Sequence, residues 1–543
     1  MGEVTPLIAA ACGGGDAINK SYSSRSCDDG DGHSTHHPVE RELERHLSLF
    51  DLVCIGIGAT VGSGVFVLVG LIAHTQAGAG VWISWSVAGV AACLSAVCYA
   101  ELGSRFPKEG GSSYVYARET MGHAAAVIAG ACLTLEYTGS ASAVARSWGD
   151  KVVSYVSSIS GDGEASYLIA ILDPGYGINP CAFAVSLGAV MLLLGGVKES
   201  KWVANIFSTF NVCLVAFMAL MSLSLAKPEN LKPVVAEKFG PGGILRGSMS
   251  SFFGYIGFDE ICCCSGEAIN PTRDIPRSII ITLALVTTLY IGCSVGLAGM
   301  VPYEFISETS GFPEGFRYLG HNLAANFTAI GELIVLPLVV LVTILAQPRL
   351  NYTLALDGIL PRNFAEMDDK GNLIRGIKCS GFVLVAVATF IPFRYLDDII
   401  SSGILIAFTL TDTSVILVRQ ESPKDNPRLL KTLLVAFHSL SFVSGFFVKT
   451  MLSESETRIS GQRVITIVLS VAVVTVGNKI RRCPRKIDDE RKNIFIVPCA
   501  PIIPLCGCFL EFRGLIAIAS YIAAALLFDS YNLQRRRQSR AEP

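Results

Sequence analysis

The stretch Ile55-Gly56-Ile57-Gly58-Ala59-Thr60-Val61-Gly62-Ser63-Gly64-Val65-Phe66 places four glycines within nine residues in the middle of an apolar run covering 49–72. Glycine lets a helix unwind, and unwinding frees backbone N–H and C=O groups that hydrocarbon cannot satisfy. Five apolar spans later the chain reads Phe253-Gly254-Tyr255-Ile256-Gly257-Phe258-Asp259-Glu260, again broken by glycine in mid-span. An odd number of spans per repeat makes the second repeat enter the bilayer from the opposite side. Paired broken helices at corresponding places in inverted repeats mark the substrate site of a membrane transporter. A milder reading, that the glycines only permit close helix contact, accounts for one pair better than for four. Gly56 through Gly62 also resembles a dinucleotide-binding loop superficially, but its spacing is one residue too long and the strand–turn–helix context is missing.

Outward from these two segments the chain keeps the same character. Its 543 residues are 51% hydrophobic and only 16% charged, too apolar for an ordinary water-soluble protein. About fourteen candidate spans follow, at 49–72, 81–104, 120–145, 179–197, 203–226, 247–267, 277–301, 328–347, 379–396, 399–418, 430–448, 463–478, 495–510 and 514–529. Most approach the ~20 residues a helix needs to cross a hydrocarbon core. With the N-terminus cytoplasmic, most of the 43 Lys and Arg residues fall in inward loops and tails, including Arg105, Arg118, Arg362, Arg375 and Arg535-Arg536-Arg537. This positive-inside bias predicts a multi-pass membrane protein with both termini cytoplasmic. Nothing supports a nucleic-acid role. The lipid bilayer is the implied environment.

Many of the 17 cysteines sit in apolar spans as small hydrophobes, among them Cys54, Cys93, Cys98, Cys132, Cys213 and Cys293. Cys262-Cys263-Cys264 lacks metal-ligand spacing, because neighbouring helical residues point apart. No metal or cofactor site is expected, and no nucleophile–base set suggests an enzyme. Residues 1–46 read as a disordered cytoplasmic tail without a cleavable signal or a myristoylation pattern. Glu3-Val4-Thr5-Pro6-Leu7-Ile8 resembles an acidic dileucine sorting signal of vacuolar, lysosomal or endosomal proteins, so the plasma membrane and the vacuolar or lysosomal membrane both stay open. A basic tail at 530–543 closes the chain.

Several motifs are more specific. Gly62-Ser63-Gly64-Val65 resembles the first-helix signature of the amino acid–polyamine–organocation superfamily, and Cys98-Tyr99-Ala100-Glu101-Leu102-Gly103-Ser104-Arg105-Phe106-Pro107 the end of its second helix. Leu135-Glu136-Tyr137 with Ala143-Val144-Ala145-Arg146-Ser147-Trp148 is similar to the cationic amino acid transporter family. So are Gly257-Phe258-Asp259 with Gly266-Glu267 and Asn270-Pro271, Pro348-Arg349 with Asp357-Gly358, and Val497-Pro498-Cys499-Ala500-Pro501. The resemblance covers about residues 47–530. It implies an all-α polytopic membrane protein of LeuT-type fold. Spans one to five (47–226) and six to ten (247–418) would form a 5+5 inverted repeat, with accessory spans at 430–529. It also implies alternating-access transport of an amino acid, most readily lysine, arginine or ornithine. Small neutral amino acids, polyamines, or a transport-inactive receptor are the alternatives.

By the same resemblance, amides around Gly62, Ser63 and Gly64 would take a substrate carboxylate, with Thr60, Val61 and Gly254 in the same broken segments. Carbonyls near Ile57, Phe253 and Ile256 would take the ammonium, and Phe253 would cover the substrate. The positive end of the half-helix suits an anion. Where the family has a lysine in the fifth helix this chain has Asn205, which opens the choice between H+ and Na+ as coupling ion. Thr343 is a candidate oxygen for that cation. Glu511 stands where the family has an uncharged residue. Glu136 lies in an otherwise apolar stretch, where a charge is costly and therefore functional or paired. Of the adjacent Asp259 and Glu260 only one is expected to face the cavity, and the resemblance favours Asp259. Glu101 and Glu267 are expected to pair with Arg105 or Arg273.

Overall fold

The computed structural model describes residues 45–106, 112–159, 169, 171–174, 177–195, 201–344, 346–366, 373–453, 459–486 and 495–511. The sorting-signal-like Glu3–Ile8, the fourteenth span and the terminal arginines lie outside these residues.

The first helix, α1 (Leu49–Thr60), starts at a capping box. The Ser48 hydroxyl accepts from the Asp51 N–H at 3.4 Å, and the Asp51 carboxylate accepts from the Ser48 N–H at 3.0 Å. It stops at Val61, whose backbone is extended (φ −85°, ψ 93°). The span resumes as α2 (64–77), wound wide over Gly64–Leu68 and Ala73–Ala77, the local form that marks functional sites in helices. After it come α3 (Val81–Arg105), α4 (Ser113–Met121), α5 (His123–Ile159), α6 (Pro180–Leu194) and α7 (Lys201–Ser224). The sixth span is broken as well. Helix α8 (Gly240–Ser251) tightens into a turn at Phe252–Tyr255, then Ile256 is extended and Gly257 takes φ 104° before the single turn α9 (Glu260–Cys263). Only glycine adopts that φ without strain. The rest are α10 (Pro271–Met300), α11 (Gly311–Tyr318), α12 (Asn322–Ile344), α13 (Ala346–Leu356), α14 (Ile374–Phe390), α15 (Phe393–Arg419), α16 (Leu429–Ser453), α17 (Ile459–Arg481) and α18 (Ile502–Glu511). Among the described residues seven helical stretches are long and apolar enough to cross a membrane, and one of these joins α2 to α3.

Contacts between helices carry the inverted repeat. Helix α1 touches α9 while the start of α2 touches the Phe252–Tyr255 turn, so the two broken spans run antiparallel. Three later helices of the first half pack on their counterparts: α3 on α10, α5 on α12, α6 on α14. Helix α7 contacts α1, α10 and α12, and its counterpart α15 contacts α8, α3 and α5, the same pattern with the halves exchanged. The protein is therefore a multi-pass, LeuT-type helical bundle.

Two span boundaries differ from expectation. The ninth and tenth spans were expected at 379–396 and 399–418, but the chain turns at Ile391–Pro392 and one helix runs on from Phe393. Proline has no N–H to continue a helix and restricts the residue before it. The third span, helix α5, is 37 residues long and extends well past 145.

The expected Glu101–Arg105 pair forms, at 2.8 Å, but it is one part of a larger knot. Glu101 is fully buried and also takes a fork from Arg419 of α15 at 2.6 and 2.8 Å and the Val497 N–H at 2.8 Å. Removing one member of such a buried set leaves an uncompensated charge and costs about 3–5 kcal/mol. Glu101→Ala is expected to lower the melting temperature of the purified protein sharply, whereas Arg105→Ala, which leaves the Arg419 fork intact, lowers it less. Equal losses would show that Arg105 carries the knot.

Candidate functional site

A small cavity of about 20 Å³ lies between the two helix breaks, room for about one water molecule. Thr60, Gly62, Ser63 and Gly64 form one wall, and Phe253, Ile256, Gly257 and Glu260 the facing one. Helix α5 adds Glu136, Tyr137, Ser140 and Val144, spaced to share one helical stripe, and α12 adds Val339 and Thr343. Phe253 sits edge-on to Phe393, ring centres 5.9 Å apart.

The break is stabilised carbonyl by carbonyl. Gly56 O accepts from the Thr60 hydroxyl (2.7 Å) and Ile57 O from the Val61 N–H (2.8 Å). Thr60 O accepts from the Tyr290 hydroxyl (3.1 Å) and Val61 O from the Asn211 amide (2.7 Å). The N–H groups that begin a helix have no acceptor within it, so those at the start of α2 are available where Gly62, Ser63 and Gly64 line the cavity. The Ser63 and Ser140 hydroxyls are buried without a hydrogen-bond partner among the described residues. Room for the break comes from a glycine crossing: a Cβ on Gly64 would lie 2.5 Å from the Gly254 Cα, and one on Gly254 2.5 Å from the Trp85 ring.

Carboxyl groups share the same cavity. Glu136 is 1% exposed; no amide, hydroxyl or basic side chain among the described residues donates to it, and it shares a hydrogen bond with the Asp259 carboxyl. Asp259 and Glu260 are the charged groups acting on it. The cavity thus brings the N–H donors of a helix start together with carboxyl groups, a set suited to a zwitterion or a cation-bearing ligand.

Of the sequence-derived site residues, Thr60, Gly62, Ser63, Gly64, Phe253, Ile256, Glu136 and Thr343 come together here. Ile57, Val61 and Gly254 stand behind the wall as support. Glu260 lines the cavity, and Asp259 is buried against the cavity-lining Glu136 and accepts from the Tyr137 hydroxyl at 3.5 Å. The non-helical backbone at Gly257 re-aims the chain, so helical spacing does not decide which carboxylate faces in. Asn205 and Thr343 do not share a site. Asn205 donates to Asp51 at 2.7 Å near the start of α1, whereas Thr343 donates to Val339 O at 2.8 Å beside the cavity. Glu267 lies in the field of Arg349, not of Arg273. Asn211 and Tyr290 were not singled out in the sequence, although Asn205, Ser208 and Asn211 recur every three residues and so follow one face of α7.

Comparison with known proteins bears on this site. A family model described as amino acid permease matches residues 47–476. A vacuolar cationic amino acid transporter 4 from Arabidopsis thaliana is 36% identical over 393 residues, covering 71% of this chain and 65% of the relative. A methylthioribose transporter from Bacillus subtilis (strain 168) is 32% identical, covering 71% of this chain and 83% of the relative. A branched-chain amino acid permease from the same organism is also 32% identical, covering 72% and 84%. The chain spans slightly under two thirds of the length of the plant relative.

The glycine geometry separates two substitutions. A Cβ at Gly62 would meet Val339 at 3.3 Å and Val144 at 3.7 Å, both side chains, whereas a Cβ at Gly64 would meet backbone. Gly64→Ala is therefore expected to abolish ligand binding by forcing the broken helices apart, and Gly62→Ala to weaken it by a lesser factor. Equilibrium binding of radiolabelled amino acid to purified protein reads the difference, and wild-type binding by Gly64→Ala would contradict the crossing.

Proposed function

The chain belongs to the amino acid permease family, and from that membership we propose that it is a secondary active transporter moving amino acids by alternating access, with cationic ones (lysine, arginine, ornithine) preferred. The observation that carries the reading is the buried Glu136 carboxyl, which has no basic partner among the described residues and shares a hydrogen bond with Asp259, in one cavity with the Ser63 hydroxyl and the amides of a helix start. The helix start takes the substrate carboxylate, and the α-ammonium and a cationic side chain are held toward Glu136 and Glu260. Plant relatives named as cationic amino acid transporters support this choice. The bacterial branched-chain permease keeps neutral substrates as the second reading. A polyamine has no carboxylate for the amide end, which argues against it.

For coupling, the separation of Asn205 from Thr343 argues against a sodium cage built from both. The drive is then a proton on the Glu136–Asp259 pair, since adjoining buried carboxylates resist double ionisation. The membrane potential acting on a cationic substrate adds about 2.3 kcal/mol per charge per 100 mV. The relatives named as vacuolar and the Glu3–Ile8 segment support a vacuolar or lysosomal membrane over the plasma membrane, with both termini cytoplasmic.

Uptake of radiolabelled lysine, leucine and spermidine into proteoliposomes tests the assignment. Lysine is expected to accumulate most, and absence of any amino-acid uptake by well-folded protein would sink it. Glu136→Gln keeps shape but loses the charge, and a lost charged hydrogen bond is worth about 1.5–3 kcal/mol. Lysine affinity is expected to fall tenfold to about a hundredfold, with a flattened pH profile. Choline in place of sodium at fixed potential and pH is expected to leave uptake unchanged, and a steep loss would reinstate a sodium site.

A further inference from the structure

A second group of ionisable side chains lies away from the substrate cavity, where α3 and α15 meet the accessory helix α18. Asp412, Cys508 and Glu511 are all buried, and their ligand-type atoms lie within 4.8 Å of one another. Cys508 and Glu511 are three residues apart, so they share one face of α18. Asp412 reaches that face from α15. Gly507 leaves room for it, since a Cβ there would collide with the Asp412 carboxylate. One Asp412 oxygen, Oδ1, is buried without a hydrogen-bond partner among the described residues. Among the described residues no lysine or arginine pairs with either carboxylate.

Two carboxylates without a basic partner in a buried place call for a cation. We propose that Asp412, Cys508 and Glu511 form a binding site for a thiophilic divalent transition ion of the zinc class. One thiolate with two carboxylates suits such an ion, which keeps a fourth position for water or a further ligand. Ligand atoms around zinc stand about 3–4 Å apart at bond lengths of about 2.0–2.3 Å, so the group closes on the ion by side-chain adjustment alone. An outer ring of donors is already in place. Ser95 donates to Glu511 Oε1 at 2.5 Å and lies 3.3 Å from Asp412 Oδ2, and Thr409 donates to Glu511 Oε2 at 2.9 Å. Cys98, one turn from Ser95 on α3, is fully buried and acts electrostatically on Asp412. Thr413 bridges the Cys508 sulfur (3.8 Å) and His438 Nε2 (3.1 Å). Such outer partners orient metal ligands, and losing one typically weakens binding tenfold to a hundredfold. The ion would pin α18 to both halves of the bundle, because α3 and α15 belong to different repeats.

Purified full-length protein, stripped with a chelator and given cobalt(II) alone, tests this without substrate or transport. About one ion per chain is expected, with a thiolate-to-cobalt charge-transfer absorption that zinc(II) displaces. Cys508→Ser is expected to remove that absorption. The isosteric Glu511→Gln should weaken binding, and Ser95→Ala should weaken it tenfold to a hundredfold. Variants that melt like wild type when metal-free show that folding is not what is lost. No charge-transfer band, or a band unchanged in Cys508→Ser, overturns the site. So does an infrared carboxylic-acid band lost in Glu511→Gln from protein that takes up no metal, since protons then hold the pair together.

Discussion

A backbone opened inside a membrane protein must find a partner for every group it frees. Here the constraint is met for the carbonyls within one short segment, and the N–H groups that begin α2 face the cavity. The Thr60 hydroxyl, the Val61 N–H, Tyr290 and Asn211 take the carbonyls of Gly56, Ile57, Thr60 and Val61 in turn. The donors come from the segment itself, from α10 and from α7, so the break holds only when both halves of the bundle are docked on it. The Gly64–Gly254 crossing expresses the same dependence from the other side, since neither broken helix can approach without the other lacking a side chain.

That arrangement gives the cavity its polarity. Its amide donors and its carboxyl groups belong to different elements, α2 and α5, whose relative position sets the distance a ligand must span. Beyond α2, Lys151 lies buried between three elements. It pairs with Glu332 at 2.6 Å and donates to Phe66 O and Thr309 O at 3.0 Å each, tying α5 and α12 to α2. At the opposite end Asp357 receives Arg118 at 2.7 Å and also the Tyr114 hydroxyl, tying α13 to α4. The proposed alternating access would need one of these ties loosened while the other holds, and both are polar contacts.

The sequence made the bundle and the two breaks legible because apolar length and mid-span glycine report directly on hydrocarbon and unwinding. It also located Glu136 and the Gly62-Ser63-Gly64 turn. It was less informative wherever a side chain's direction depends on broken backbone or on a distant helix. Glu260, not Asp259, lines the cavity because Gly257 leaves the helical path. Asn205 reaches Asp51 at the start of α1, while Asn211 on the same face meets the break. Arg419 and Val497 reach Glu101 across more than three hundred residues of chain. The Asp412–Cys508–Glu511 group joins two helices that no local spacing links.

The central claim is that the start of α2 binds a substrate carboxylate while Glu136 faces the cationic part. Competition for bound radiolabelled lysine by lysine, lysine methyl ester and a des-carboxy analogue tests it most directly on purified protein. Lysine is expected to compete fully, and both analogues lacking a free carboxylate to compete at least tenfold less well. Equal competition by the methyl ester would contradict the account.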